Sequence, residues 1–171
     1  MSLLSSQALR SRLATSPPLI EAALDIETQV QPNGFDLTLR DVSRYTSVGR
    51  IDFSNAKREL SGLELLATEA DGWHLAQGSY LVTFNEIVHI PLDLAALGRT
   101  RSSLLRCGAS LQTAVWDAGY SGRSQSLLVV HNPAGLVLER NARILQLVFY
   151  ELTAPAVQGY QGRFQGENVA R

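Results

Sequence analysis

Residues 127–138, LLVVHNPAGLVL, decide the fold class, because two short apolar runs stand on either side of a turn. The runs at 127–130 and 136–138 have the length of strands and are too short for ordinary helices. The residues between them, Asn132-Pro133-Ala134-Gly135, favour a turn. From about residue 27 onward the chain repeats this pattern of short apolar runs divided by Gly, Pro, Asn and Asp. The pattern predicts an all-β domain.

Further strands are predicted over residues 79–86, with an extension to residue 90, over 114–116 and over 144–150. In the first of these, every second side chain is large and apolar, which is the period of a strand with one buried face. Asp71-Gly72 predicts the turn of another hairpin. Because such runs recur about every eight to twelve residues, we expect a sandwich, a jelly roll or a distorted barrel.

The two ends of the chain differ from this β region. Ser5 or Ser6 is positioned to cap a short helix over residues 5–13, and Ser16-Pro17-Pro18 would end that helix. Glycines recur near the other end, which favours flexibility. The predicted parts are an N-terminal helical appendage of the same domain, a β domain and a flexible C-terminal segment, over residues 1–26, 27–155 and 156–171.

Composition limits what this chain can do. With 171 residues, 45% of them hydrophobic, it fits one domain. Fifteen Lys and Arg against sixteen Asp and Glu give a net charge of −1, so we expect no nucleic-acid or membrane partner. Three His and one Cys exclude the usual Cys/His zinc sites and any disulfide within the chain. Without a signal sequence or a membrane-spanning apolar run, we expect a cytoplasmic protein that holds any anionic ligand locally.

The stretch GRTRSSLLRCG at 98–108 is a candidate phosphate site. Ser102 and Ser103 open a predicted helical turn, and Arg101 and Arg106 flank it. Backbone N–H groups at a helix start, hydroxyl groups and guanidinium groups together bind phosphate. The alternative is a capped surface helix with solvated arginines.

The stretch TAVWDAGYSG at 113–122 runs a strand into a turn that glycines bound. Asp117 stands where the strand ends, from which a carboxylate can face a cleft. There it could act as a general base towards a water molecule held against an electrophile such as phosphorus. The alternative is that Asp117 only forms the turn.

Two further features suggest ligand contacts. Gln146 interrupts an otherwise apolar strand, so its amide needs a partner in the protein or in a ligand. The segment GYQGRFQGE at 159–167 alternates glycines with polar and aromatic residues. Such a segment can fold over a ligand, with Tyr160 and Arg163 as phosphate donors and Phe164 as a stacking surface. A structural amide and a disordered terminus are the alternatives.

In this order, the elements resemble the dUTPase and dCTP deaminase superfamily, and most closely its archaeal-type dUTPases and bifunctional deaminases. The resemblance extends over about residues 29–167, and its strongest parts are RSSLLRCG at 101–108, WDAGYSG at 116–122, RILQL at 143–147 and GYQGRFQG at 159–166. It implies a distorted jelly-roll-like β-barrel with short helices. It also implies a homotrimer with active sites between subunits and Mg²⁺ on the nucleotide triphosphate.

The resemblance also implies roles for individual residues. The implied triphosphate ligands are Arg101, Ser102, Ser103, Arg106 and Gln146. Asp117 is the implied base that activates water for attack on the α-phosphorus of dUTP, which gives dUMP and pyrophosphate. The other implied contacts are Tyr120 under the deoxyribose, backbone groups of Gln112, Thr113 and Val115 at the uracil, a closing tail with Tyr160, Arg163, Phe164 and Gln165, and Asp36 in support of the metal through water.

One departure distinguishes the branches of this superfamily. In the deaminases, a glutamate ten residues after the aspartate transfers protons at the pyrimidine, whereas this chain has Leu127 there. No carboxylate occurs anywhere from residue 121 to 138. The tail also lacks the Gly-Phe-Gly-Ser-Thr-Gly ending of common trimeric dUTPases. We therefore expect a dUTP pyrophosphatase without deaminase activity; the alternatives are a bifunctional dCTP deaminase and dUTPase, or a non-catalytic nucleotide-binding module.

Overall fold

A computed structural model describes residues 2–169, so Met1 of the predicted N-terminal part and Ala170 and Arg171 of the predicted tail lie outside it. The elements are α1 (Ser6–Leu13), β1 (Ile20–Glu21), α2 (Ile26–Gln29), β2 (Val30–Gln31), β3 (Gly34–Tyr45), β4 (Leu63–Leu65), β5 (Trp73–Leu75), β6 (Gly78–Phe84), β7 (Ile87–His89), β8 (Leu94–Thr100), α3 (Ser102–Arg106), β9 (Ala109–Gln112), β10 (Val115–Trp116), β11 (Ser121–Gly122), β12 (Gln125–Val130), β13 (Leu136–Leu138) and β14 (Arg143–Glu151). None of the helices within residues 2–169 has the length and apolar character to cross a membrane.

The main sheet is antiparallel and has the strand order β10-β8-β14-β3-β6-β12-β9, with β2 and β4 paired to β3. The sheet curls until its far strand, β9, meets β8. There the Leu111 N–H donates to Thr100 Oγ1 at 2.9 Å, and that hydroxyl donates to the Leu111 carbonyl at 3.2 Å. The expectation of an all-β, distorted barrel is therefore confirmed.

The core lies inside this curl, and strand alternation places side chains there. On β12, Ser126, Leu128 and Val130 are buried, while Leu127 lies on the other face and is partly exposed. On β6, Val82 and Phe84 are fully buried. Since each fully buried aliphatic or aromatic side chain contributes about 1.5–3 kcal/mol, this face sets the register of the sheet.

The N-terminal residues complete the core. Helix α1 begins after Ser5, whose Oγ accepts a hydrogen bond from Ala8 N at 3.3 Å, so the predicted helix and its cap are confirmed. Leu9 of this helix is fully buried. Leu19 and Ile20 are also buried, and β1 pairs with β7.

The structure corrects one predicted hairpin. Asp71-Gly72 does form a tight turn, with mutual backbone hydrogen bonds between Glu69 and Gly72. However, the strand before it, β4, pairs with β3, and the strand after it, β5, pairs with β13. Trp73 and Leu75 of β5 become buried in this arrangement. Burial of these side chains therefore decides the pairing, and the local turn does not.

Candidate active site

A cleft of about 270 Å³ opens where β10 ends. It contains candidate residues from the strand, from the turn that follows it and from the C-terminal tail. The lining residues are Ala114, Val115, Trp116, Asp117, Tyr120, Ser124, Gln125, Tyr160, Phe164 and Glu167. Asp117, Val115, Tyr120, Tyr160 and Phe164, which the sequence marked as separate candidates, thus lie around one space.

A tight turn presents Asp117 to this cleft. The Asp117 carbonyl accepts the Tyr120 N–H at 3.0 Å, and Gly119 within the turn has a φ of +83°. A Cβ at Gly119 would lie 2.5 Å from the Gly159 Cα, so only glycine fits here. The exposed Asp117 carboxylate has no hydrogen-bond or ion-pair partner among residues 2–169. It is therefore free to accept a proton from a water molecule.

Tyr120 forms the floor of the cleft and is 7% exposed. Its hydroxyl donates to Glu167 Oε1 at 2.8 Å, and burial raises the pKa of both groups. Glu167 was missed by the sequence analysis. The only sequence signal for it is that it is the single acidic residue after Glu151.

The tail lies across the turn that carries Asp117. Tyr160 N donates to the Ala118 carbonyl at 2.8 Å, and its ring meets the Tyr120 ring edge-on at 5.8 Å. The Gln165 amide donates to the Gly119 carbonyl at 3.0 Å and accepts from Ser121 N at 3.1 Å. These contacts place the tail over the cleft.

A second group of candidates surrounds Asp36, which is 1% exposed. Its Oδ2 lies 3.0 Å from Arg101 Nε and 3.2 Å from Arg143 Nη1. Burial raises the pKa of Asp36, and the two guanidinium groups oppose that rise. Gln146 pairs with Asp36 across β14 and β3. Asp36 thus fixes Arg101 at the start of α3.

A buried network supports the backbone of Asp36. Glu86 is fully buried and accepts hydrogen bonds from Thr38 N at 2.9 Å, from Thr38 Oγ1 at 2.6 Å and from Gln29 Nε2 at 2.6 Å. Gln29 Nε2 also donates to the Asp36 carbonyl at 2.8 Å. Burial raises the pKa of Glu86. The sequence analysis missed this network, although a glutamate between two apolar runs is a signal for it.

The remaining candidate phosphate ligands lie on helix α3 and are exposed to solvent. Ser102, Ser103 and Arg106 are exposed, and Arg106 Nη1 donates to the Ser102 carbonyl at 3.2 Å. Arg101 is turned towards Asp36 and also donates to the Arg143 carbonyl at 3.0 Å. The helix start is therefore open to solvent.

The cleft that contains Asp117 and the group around Asp36 and α3 lie towards opposite ends of β8. Trp116, next to Asp117, pairs with Ala96, whereas Thr100 precedes Arg101. The four residue-to-residue steps from Ala96 to Thr100 span about 13 Å of strand. A base acts only within hydrogen-bond reach of its proton, directly or through water. Within one chain, Asp117 and α3 thus remain apart.

Gln112 and Thr113 lie between these groups. Gln112, at the end of β9, is exposed and pairs with Leu127 of β12. Thr113 follows it and packs beside Gly98, where a Cβ would lie 2.7 Å from Thr113 Cγ2. The backbone of this segment leads directly into the cleft at Val115.

Comparison with known proteins assigns the family. The family model described as "DCD: dCTP deaminase-like" matches residues 3–152. A Methanosarcina mazei protein named "Probable deoxyuridine 5'-triphosphate nucleotidohydrolase" is 54% identical over 170 residues, 99% of either chain. The Methanocaldococcus jannaschii "Deoxyuridine 5'-triphosphate nucleotidohydrolase" is 40% identical over 143 residues, 82% of this chain and 89% of that protein.

A solved structure is similar in fold. 2'-Deoxycytidine 5'-triphosphate deaminase from Agrobacterium tumefaciens matches with a TM-score of 0.64 and 23% identity. The match covers 86% of this chain and 48% of that one, so this chain spans about half its length. The family model and the archaeal relatives confirm the resemblance inferred from the motifs: this chain belongs to the dCTP deaminase-like family.

Proposed function

We propose that this protein is a dUTP diphosphatase, which hydrolyses dUTP to dUMP and pyrophosphate. The main observation behind the proposal is the exposed Asp117 carboxylate, which has no partner among residues 2–169 and lies at a cleft that Tyr120 and the tail enclose. The names of the archaeal relatives support the choice of dUTP as the substrate.

In the proposed reaction, Asp117 takes a proton from a water molecule, and the water oxygen attacks the α-phosphorus. The bond from the α-phosphorus to the bridging oxygen breaks, and that oxygen leaves with pyrophosphate. The Tyr120 ring would lie under the deoxyribose and exclude a 2′-hydroxyl. Backbone groups of Gln112, Thr113 and Val115 would bind the uracil edge.

Arg101, Ser102, Ser103, Arg106 and Gln146 would bind the triphosphate. Since α3 and Asp117 lie towards opposite ends of β8 in one chain, we propose that a second copy brings its α3 to the cleft. This arrangement is the expected homotrimer with active sites between subunits. Charge that develops on the phosphates would be stabilised by the guanidinium groups of that helix.

We propose Mg²⁺ as the cofactor. Asp36 Oδ2 is engaged by Arg101 and Arg143, so Asp36 would support the metal only through water. The remaining ligands would be phosphate oxygens and water, a donor set that suits Mg²⁺. When bound, the ion would neutralise negative charge on the phosphates. Within residues 2–169, the one three-residue group with metal-ligand geometry is Glu69, Asp71 and His74, and none of these lines the cleft.

The tail would close over the phosphates through Tyr160, Arg163, Phe164 and Gln165. Two of these residues, Tyr160 and Phe164, line the cleft, and Gln165 bonds to the turn after Asp117. These contacts support a role of the tail in shielding the cleft from bulk solvent, while the water that Asp117 activates stays inside.

The neighbourhood of residue 127 supports hydrolysis without deamination. Leu127 pairs with Gln112, which belongs to the proposed uracil-binding segment. A hydrocarbon side chain at this position cannot transfer a proton to the pyrimidine. We therefore propose that dCTP is not deaminated.

A cytoplasmic location of the protein stays a prediction.

One experiment tests this function directly. The protein is incubated with Mg²⁺ and separately with dUTP, dCTP, dTTP and UTP, and nucleotides and pyrophosphate are resolved by chromatography. We expect efficient cleavage of dUTP alone. Release of a deaminated product from dCTP would support the bifunctional enzyme, and binding of dUTP without any turnover would support the non-catalytic module.

A further inference from the structure

The loop between β3 and β4, residues 46–62, is held in a defined conformation. Thr46 N donates to the Gly62 carbonyl at 2.9 Å. Further along, Arg50 and Glu59 exchange backbone hydrogen bonds of 2.8 and 2.9 Å. The loop therefore has a paired base, and its tip carries residues 51–58.

Arg58, near this tip, reaches the tail. Its guanidinium carbon lies 6.0 Å from the centroid of the Phe164 ring, which is within the range of a cation–π contact. Phe164 in turn lines the cleft that contains Asp117. The β3–β4 loop thus places a cation beside the cleft.

The Nε of Arg58 is buried and has no hydrogen-bond acceptor in the part of the chain that the structure describes. A buried donor without an acceptor costs free energy, and its presence in a folded protein calls for a partner such as a bound ligand. Arg58 also has no carboxylate within 4.0 Å among residues 2–169. An anion would satisfy both this N–H donor and the charge of the guanidinium group.

The charges around the cleft indicate where that anion would come from. Within residues 2–169, two carboxylates line the cleft, those of Asp117 and Glu167, and its lining there includes no Lys or Arg. A triphosphate that approaches Asp117 would therefore meet negative charge on this side. Arg58, beside Phe164, is a second cation of the same chain that can offset that charge, in addition to Arg163 of the tail.

We propose that Arg58 is a substrate-binding residue: its guanidinium rests on Phe164 and donates its Nε–H to a phosphate oxygen of the nucleotide in the cleft. The inference rests on the proposed function, because it requires a nucleotide there. A guanidinium group suits this task, since it keeps its charge and its planar donors match phosphate oxygens. Binding would also draw the β3–β4 loop and the tail together around the substrate.

The test compares Arg58→Ala with the control Arg50→Ala, which removes the same charge from the base of the same loop. Affinity is measured by calorimetry for a non-hydrolysable α,β-imido analogue of dUTP. The inhibition constant of deoxyuridine, which has no phosphate, is measured against dUTP hydrolysis. We expect Arg58→Ala to weaken binding of the analogue about ten- to hundred-fold, and to weaken binding of deoxyuridine less than about two-fold. Arg50→Ala should leave both values unchanged.

Arg58→Lys, which keeps the charge but lacks Nε, should bind the analogue with intermediate affinity. If Arg58→Ala does not fold, as judged by circular dichroism, Arg58→Gln takes its place in the same measurements. Equal weakening of the analogue and of deoxyuridine would overturn the proposal, because Arg58 would then only hold Phe164. Unchanged affinities would also overturn it while the proposed function stands. A wild-type protein that neither binds nor cleaves dUTP would instead remove the proposed function itself.

Discussion

Asp36 holds Arg101 in place: Asp36 Oδ2 lies 3.0 Å from Arg101 Nε, and the aspartate side chain is only 2% exposed. Arg143 occupies the same oxygen at 3.2 Å. The carboxylate therefore connects two strands of the sheet, β3 and β14, to the start of α3. Through this contact, the orientation of a proposed phosphate ligand depends on a residue that is itself buried.

Asp36→Asn should lower both stability and substrate affinity. The substitution leaves two guanidinium groups beside a neutral amide, so the free energy of unfolding should fall. We expect a loss of about 2 kcal/mol, which is moderate for a buried ion pair because both arginines are partly exposed to solvent. The KM for dUTP should rise about ten-fold as Arg101 loses its orientation. Urea denaturation and steady-state kinetics measure the two effects.

Asp41→Asn is the matched control for this prediction. Asp41 lies on the same strand and pairs with Arg40 at 3.3 Å and with Arg140 at 3.8 Å, but its side chain is 28% exposed. We expect little change in stability or KM. If Asp36→Asn behaves like this control, Asp36 does not position Arg101.

Asp117→Asn should abolish hydrolysis and leave binding intact. The amide keeps the shape of the side chain but cannot take a proton from water. We expect kcat to fall by at least about 10³-fold, while the affinity for the imido analogue changes less than about three-fold. Asp71→Asn, at an exposed turn whose residues do not line the cleft, serves as the control and should retain full activity. Undiminished turnover by Asp117→Asn would contradict the proposed mechanism.

Mixing two inactive variants tests whether subunits share a site. Asp117→Asn and Arg101→Ala are unfolded, combined in equal amounts and refolded together. If one copy supplies Asp117 and its neighbour supplies Arg101, about a quarter of the sites in random trimers contain both native residues. We expect that fraction of wild-type activity in the mixture and almost none in either variant refolded alone. A mixture without activity, in verified mixed trimers, would place both residues in the site of one chain.

Stability should fall as pH rises through the titration of Glu86. Burial raises its pKa above the ordinary value of 4.5, so the folded chain holds this proton more tightly than the unfolded chain does. Its contribution is then largest below pH 4.5 and is lost as pH rises towards the raised pKa. The burial of Asp36 and Glu167 acts in the same direction.

Glu86→Gln removes this titration and should flatten the fall in stability with pH. Urea denaturation at pH values on both sides of 4.5 measures the slope for the variant and for the wild-type protein. The variant should also be less stable than the wild-type protein at every pH, because an amide N–H group cannot accept the hydrogen bond that Thr38 N donates. Parallel curves would show that Glu86 does not titrate in this range.

Sequence patterns predicted those features that depend on neighbours along the chain. The alternation in β6 and the apolar runs of β12 and β13 indicate which residues can be buried. Burial of those side chains favours the strand conformation that the structure shows. The Ser5 cap and the turn before Tyr120 are also local. The motif around Asp117 was identifiable for the same reason, because its turn chemistry lies within a few residues.

Other features were beyond the reach of such patterns, because they join distant parts of the chain. Tyr120 and Glu167 are 47 positions apart, and Arg143 and Asp36 are 107 apart. Arg58 and Phe164 meet only because the β3–β4 loop and the tail reach the same edge of the cleft. No periodicity marks such a pair, since each side chain by itself fits an exposed position.

The sequence by itself determined that this is a β protein of the dCTP deaminase-like family, with Asp117 in a glycine-bounded turn and a leucine at position 127. Only the tertiary structure decided which strands pair, which arginines Asp36 holds, and that Asp117 and α3 lie apart along β8. The physical reason is that backbone preference and side-chain period act over a few residues, whereas burial and charge pairing act between whichever groups the folded sheet brings together.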